Sequence, residues 1–173
     1  GMSLVKSELQ NLGFKALYPW RHAIIEQHIR SQPVVRREAM AQVEVQLSQR
    51  LAREGLEHRL VSRIKTPWSI YTKMREENKT FDQVMDVFGF RLVMRSVPNS
   101  YHALGAVHAA FKPLDGRFRD FIAIPKANGY QSLHTVLFGP YGSPIEVQIR
   151  TEEMDLIAER GVAAHWTYKF GGD

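Results

Sequence analysis

Cysteine is missing from the chain altogether, which excludes disulfides, thiolate zinc sites and thiol nucleophiles. No apolar run approaches the roughly 18 to 20 residues of a membrane span, and no charged-then-apolar leader stands at the start. The phosphate-binding pattern Gly-x-x-x-x-Gly-Lys-Ser/Thr and the dinucleotide pattern Gly-x-Gly-x-x-Gly are also absent. So are repeats, low-complexity tracts and any internal linker. These absences suit a cytoplasmic protein without a membrane partner. What is there is ordinary in bulk: 173 residues, 44% hydrophobic and 24% charged, enough for one compact domain with a real core. The balance is basic, with a net charge of +5 and a pI near 9.6. Polyanions are the expected partners; nucleic acid, a membrane surface and nucleoside polyphosphates all qualify on charge alone.

The first third reads helical. Gly1 ahead of Met2 reads as a cloning scar, with residues 1–5 as an unordered start. One helix begins around Tyr18-Pro19-Trp20 and carries Ile24, Ile25 and His28. A second carries Met40, Val43, Leu47 and Leu51 at helical spacing and stops near Gly55, a C-cap candidate. Residues 6–56 form a helical lead-in packed on a core of 57–173. Residues 58–65 alternate as a strand with Arg63 and Lys65 on one face. Thr66-Pro67 predicts an N-cap and first-turn proline for a helix over 67–78, which sets Ser69 and Lys73 on one face. A strand over 84–95 has Asp86 near its start, and a helix follows over 100–111. Three more strands cover 118–124, 132–138 and 144–150, before a last helix opening at Thr151 with Met154, Ile157, Ala158 and Gly161 on one face. The expected fold is α+β, a mixed five-stranded sheet flanked by helices.

Four clusters carry chemistry, each with a plainer alternative. Arg63, Lys65, Ser69 and Lys73 could surround a polyphosphate, or form a solvated basic face. Asp86, on an apolar strand, needs a partner; Arg91 points to the opposite face, and a hard cation such as Mg²⁺ is the sharper option. In "IEVQIR" (145–150), Ile145, Val147 and Ile149 face the core and Glu146, Gln148 and Arg150 share the other side. That side either meets water or lines a cleft where Glu146 complements Asp86 as metal ligand or general base. The fourth is "IPKANGYQSLHT" (124–135), where Tyr130 can stack on a base, Lys126 and His134 can meet phosphates and Asn128 a polar edge. Gly129 supplies backbone freedom. Together these describe a metal-dependent enzyme handling nucleotides, with the reaction unnamed.

The segments "RIKTPWSIYTKM" (63–74), "MDVFGFRLV" (85–93), "GRFRDFIAIPKANGYQSLHT" (116–135) and "IEVQIRTEEMDLIAERGVAAHW" (145–166) resemble, in order and spacing, the synthetase domain of the RelA/SpoT family of alarmone enzymes. The resemblance covers about 110 residues and implies a nucleotidyltransferase-like synthetase fold. It implies transfer of pyrophosphate from ATP to the ribose 3′-hydroxyl of GDP or GTP with Mg²⁺. Arg63, Lys65, Ser69 and Lys73 would then hold ATP, and Asp86 would ligate the metal with or near Glu146, the general base. Tyr130 would stack on guanine, and Lys126, Asn128, His134, Arg119, Gln148 and Ala158 would complete the acceptor site. The tetrad Arg117-Phe118-Arg119-Asp120 resembles the basic Arg-x-Lys-Asp type of bifunctional members, with arginine at the lysine position. The family's hydrolase and C-terminal regulatory regions are expected to lie outside this chain. Two other readings stand beside it. One is a synthetase-like module that binds guanosine nucleotides with little turnover. The other is a nucleic-acid-binding domain, which leaves the paired acids unexplained.

Overall fold

A computed structural model of the chain describes residues 2–31, 33–81, 84, 88–140 and 144–160. Three helices open it: α1 (Met2–Leu17), α2 (Pro19–Ser31) and α3 (Pro33–Arg53). Pro19 and Pro33 each stand at a first helical position, where the missing N–H costs nothing. Helix α3 ends on Gly55 at φ +67°, with the Leu56 amide returning to the Leu51 carbonyl at 2.9 Å, the left-handed C-cap expected there. The lead-in therefore holds three helices rather than two, and α1 runs from Met2, where an unordered start was expected. Its anchor is Phe14, 2% exposed, stacked on Tyr71 at 4.7 Å.

Strand β1 (His58–Ile64) leads into α4 (Pro67–Glu76). The Thr66 side chain accepts from the Ser69 amide at 3.2 Å with proline in the first turn, as the sequence predicts. Strand β2 (Phe88–Met94) is shorter than the expected 84–95; Val84 lies outside any strand, and Asp86 falls outside the described residues. Helix α5 (Val97–Ala110) starts earlier than position 100, because the Ser96 hydroxyl caps the Asn99 amide. The expected strand over 118–124 shrinks to β3 (Arg119–Asp120). Asp120 Oδ1 accepts from the amides of Ile122 and Ala123 at 2.9 and 2.8 Å, which turns the chain out of the sheet. Strands β4 (Leu133–Phe138) and β5 (Pro144–Thr151) follow. Thr151 ends β5, and its hydroxyl accepts from the Met154 amide in the first turn of α6 (Glu152–Arg160).

The five strands form one mixed sheet in the order β1-β2-β5-β4-β3. Only β2 and β5 are parallel. One face packs against α3 and α5: Phe90, Leu92, Val147, Ile149, Leu133 and Leu137 meet Val43, Leu47, Leu51, Ala103 and Val107. Each fully buried aliphatic side chain there contributes about 1.5–3 kcal/mol of transfer free energy. A second apolar cluster, Phe14, Ile25, Ile70, Tyr71, Phe81 and Val84, ties α1 and α2 to α4. The core thus takes one face of the sheet and leaves the other to polar chemistry.

Candidate active site

Strand alternation and register assign that other face residue by residue. Arg63 pairs with Gly89, Gly89 with Glu146, and Glu146 with Val136. One row along, Val61, Arg91, Gln148, His134 and Arg119 run across all five strands. The third row holds Arg59, Val93 and Arg150. The expected division of "IEVQIR" holds: Ile145, Val147 and Ile149 are in the core. Its polar side, however, is no solvated face, because Gln148 is 8% and Arg150 2% exposed.

Helix α6 covers the Arg59–Arg150 end of this face. The Arg150 Nε donates to Asp155 Oδ1 at 3.0 Å, and Arg59 Nη2 to Asp155 Oδ2 at 3.0 Å. Arg91 Nη1 donates to Glu159 Oε1 at 3.3 Å. The Arg63–Glu146 end opens into a cavity of about 490 Å³. Six cations line it, Arg63, Lys65, Lys73, Arg117, Arg119 and Lys126, against two carboxylates, Glu77 and Glu146. Glu77 is bridged by Lys79 at 2.7 Å. Glu146 sits on β5, and its Oε1 accepts from Gln148 Nε2 at 2.8 Å, while Gln148 Oε1 accepts from Arg63 Nη1 at 3.3 Å. A cation on one strand thus orients the amide that orients the carboxylate on another.

The segment 124–135 contributes Lys126 and His134 to the cavity's lining. Asn128 and Gly129 form its turn: Gly129 has φ +83°, its amide donates to the Lys126 carbonyl, and Asn128 Oδ1 accepts from the Tyr130 amide at 3.1 Å. Lys126 Nζ lies over the rings of Phe121 (4.7 Å) and Tyr130 (5.3 Å), a cation–π pairing at a partly wet site. Tyr130 Oη lies 2.8 Å from His134 Nε2 and accepts from Arg150 Nη1 at 3.0 Å. Burial pushes the His134 imidazole down to about pKa 4, and the nearby cations Lys126, Arg150, Arg63 and Lys65 add to the shift. His134 is therefore neutral near pH 7, able to accept the phenol's proton at Nε2.

Eight of the residues singled out in the sequence meet at this cavity: Arg63, Lys65, Lys73, Arg119, Lys126, His134, Glu146 and Gln148. Ser69 borders an adjacent cavity of about 380 Å³ shared with Arg63, Lys65 and Thr66. Tyr130 stands behind His134, Asn128 is spent on the turn, and Ala158 is half-buried on α6; none of the three is among the residues lining the larger cavity. Arg119 Nη1 donates to the carbonyls of Gly116 and Phe118, so the position tolerates the wider guanidinium by anchoring it to its own loop. Sequence reasoning did not single out Phe121 and Glu77, nor the pairing of Arg150 with Asp155. The sole signal for that pairing was a cation on the polar side of a strand followed five residues later by an acid.

An α+β domain with a basic, carboxylate-floored cavity on the open face of a mixed sheet defines a class, the polyphosphate-handling nucleotide domains. A family model described as "Region found in RelA / SpoT proteins" matches residues 62–173. The chain is 45% identical over 173 residues to the bifunctional (p)ppGpp synthase/hydrolase SpoT of Escherichia coli (strain K12), covering 100% of this chain and 25% of that protein. It is 42% identical over 171 residues to a GTP pyrophosphokinase of Myxococcus xanthus, covering 99% of this chain and 23% of the relative. Among solved structures, the small alarmone synthetase 1 of Bacillus subtilis aligns with a TM-score of 0.67 at 26% identity, over 84% of this chain and 82% of that one. The chain belongs to the RelA/SpoT family. It spans about a quarter of the length of the curated relatives it matches.

Proposed function

We propose that this chain is an alarmone synthetase domain, transferring pyrophosphate from ATP to the ribose 3′-hydroxyl of GDP or GTP. The observation that carries this reading is the cavity itself: six cations lining the space beside Glu146, a carboxylate on β5 oriented through Gln148. Phosphoryl transfer asks the protein mainly to align polyanions and neutralise developing charge, and a hydroxyl acceptor additionally needs a base. In the step, the 3′-oxygen bonds to the β-phosphorus of ATP, and the bond from that phosphorus to the oxygen bridging the α-phosphate breaks. AMP leaves with the bridging oxygen, and the hydroxyl proton passes to Glu146.

Arg63, Lys65 and Lys73, with Ser69 beside them, hold the ATP phosphates. Lys126, Arg119 and the neutral His134 face the acceptor. Tyr130 provides its stacking ring, and Gln148, Asn128 and Ala158 are the remaining residues assigned to the acceptor. Among the described residues no three or more His, Asp or Glu side chains group to hold a metal. Mg²⁺ nevertheless fits this site, since that ion is commonly held by one or two carboxylates plus substrate phosphates. Glu146 would be one ligand and Asp86, outside the described residues, the other. When bound, Mg²⁺ supplies charge neutralisation across the transferred phosphates. The relatives' names support the reaction, and the name of the bifunctional synthase/hydrolase, of which this chain covers 25%, supports a hydrolase region elsewhere in the full protein.

The test is incubation with ATP, GDP or GTP and Mg²⁺, with chromatographic separation of products. AMP and a 3′-pyrophosphorylated guanosine are expected, reduced by about 10²–10⁴-fold in Glu146→Gln with nucleotide binding retained. Nucleotide binding without product would instead make the chain a guanosine-nucleotide-binding module.

A further inference from the structure

We propose that Arg150, held by Asp155 of α6, is a positioning residue that presets the Tyr130 ring for the acceptor nucleotide. The inference rests on the reading of Tyr130 as the acceptor's stacking platform. Among the described residues, Arg150 is the largest of the fully buried side chains. A guanidinium is buried only where its donors find acceptors, and two of them are used here on different elements. Nε donates to Asp155 Oδ1 and Nη1 to Tyr130 Oη, each at 3.0 Å. Asp155 is itself buried and receives a further bond from Arg59. The planar fork of arginine fixes the angle between these two bonds, so the position of α6 sets the position of the phenol oxygen.

Tyr130 is thereby held at both ends. At its root, the amide donates to Asn128 Oδ1; at its tip, Oη meets Arg150 and His134. A ring fixed before the ligand arrives loses little rotamer freedom on binding, and that preorganisation appears as affinity. Lysine at position 150 would keep the charge beside Asp155 but has no fork to span both partners. The effect should therefore fall mainly on the acceptor, since Arg150 bonds directly to Tyr130 and Tyr130 to His134, whereas Ser69 and Lys73 of the ATP side stand on α4.

The test uses calorimetric affinities of this chain for GDP and, separately, for a non-hydrolysable ATP analogue. The variants are Arg150→Lys, Tyr130→Phe, their double mutant and Tyr130→Ala, each with its thermal midpoint. Arg150→Lys and Tyr130→Phe should each weaken GDP about 3- to 10-fold, the scale of one lost hydrogen bond, and leave the ATP analogue unchanged. The double mutant should be no weaker than either single change. Additive losses, or equal losses for both nucleotides, would overturn the positioning role while Tyr130→Ala still shows the platform. If Tyr130→Ala leaves GDP binding intact, the platform reading fails and takes this inference with it. Should Arg150→Lys not fold, Asp155→Asn replaces it with the same expected pattern.

Discussion

His134 shows how one residue reports its surroundings. Unfolded, its imidazole takes up a proton near pH 6.5; folded, it does so only near 4, chiefly through burial and then through four neighbouring cations. Between those values the unfolded chain binds the extra proton, so stability should fall as pH drops from 6.5 towards 4 and be insensitive to His134 above that window. Urea midpoints measured across pH 4–8 should show the decline, and His134→Gln should flatten it. A polyphosphate in the cavity offsets the same cations, so bound ATP should raise the His134 titration point, readable by NMR of the imidazole protons. Asp120 is the contrasting case. Burial would raise its pKa, but the amides of Ala123 and Ile122 and the Tyr101 hydroxyl outweigh that and hold it low. Its carboxylate therefore serves the turn that ends β3 and is not a candidate acid.

At the scale of elements, α4 delivers Lys73 to the cavity and is started by a single cap. Thr66→Ala should cost about 1 kcal/mol of stability and should weaken ATP more than GDP, because α4 carries residues of the ATP side alone. Thermal melts and separate nucleotide affinities check both halves. Helix α3 works through packing. Leu47 is 0% exposed between α3 and the sheet, so Leu47→Ala should cost about 2–5 kcal/mol with affinities unchanged in the folded fraction. Most elements were legible before folding because their signals are local: the Thr66-Pro67 start, the Gly55 stop, the alternation in "IEVQIR". The errors had local causes too. The expected strand over 118–124 has the right apolar residues, but Asp120 satisfies two amides with its side chain instead of a neighbouring strand. Helix α1 carries only a weak periodic signal, since its apolar residues are mostly exposed, Leu9 and Leu12 at 63% and 60%.

Across the whole molecule, the net charge of +5 is spread unevenly: six cations against two carboxylates gather at one cavity on the open side of the sheet. Ligand charge should accordingly rank affinity, with ATP above ADP and ADP above AMP, and the ranking should compress as salt is raised. ATP at about 100 times its Kd should stabilise the fold by about 2.7 kcal/mol, and adenosine should not; thermal shift assays in a salt series decide it. No described helix is long and apolar enough to cross a membrane.

The class of fold, the family and most of the cavity's residue types are legible along the chain, because helix caps, strand alternation and motif spacing are properties of neighbours in sequence. Which of those residues meet depends on how the strands and helices pack. That packing brought Arg63 to Gln148 and Glu146 across strands 85 and 83 positions apart, through the order β1-β2-β5. It also joined Asp155 on α6 to Tyr130 through Arg150. The physical reason is that register and burial are set by which strands pair, and pairing is fixed by the shared core rather than by any one segment.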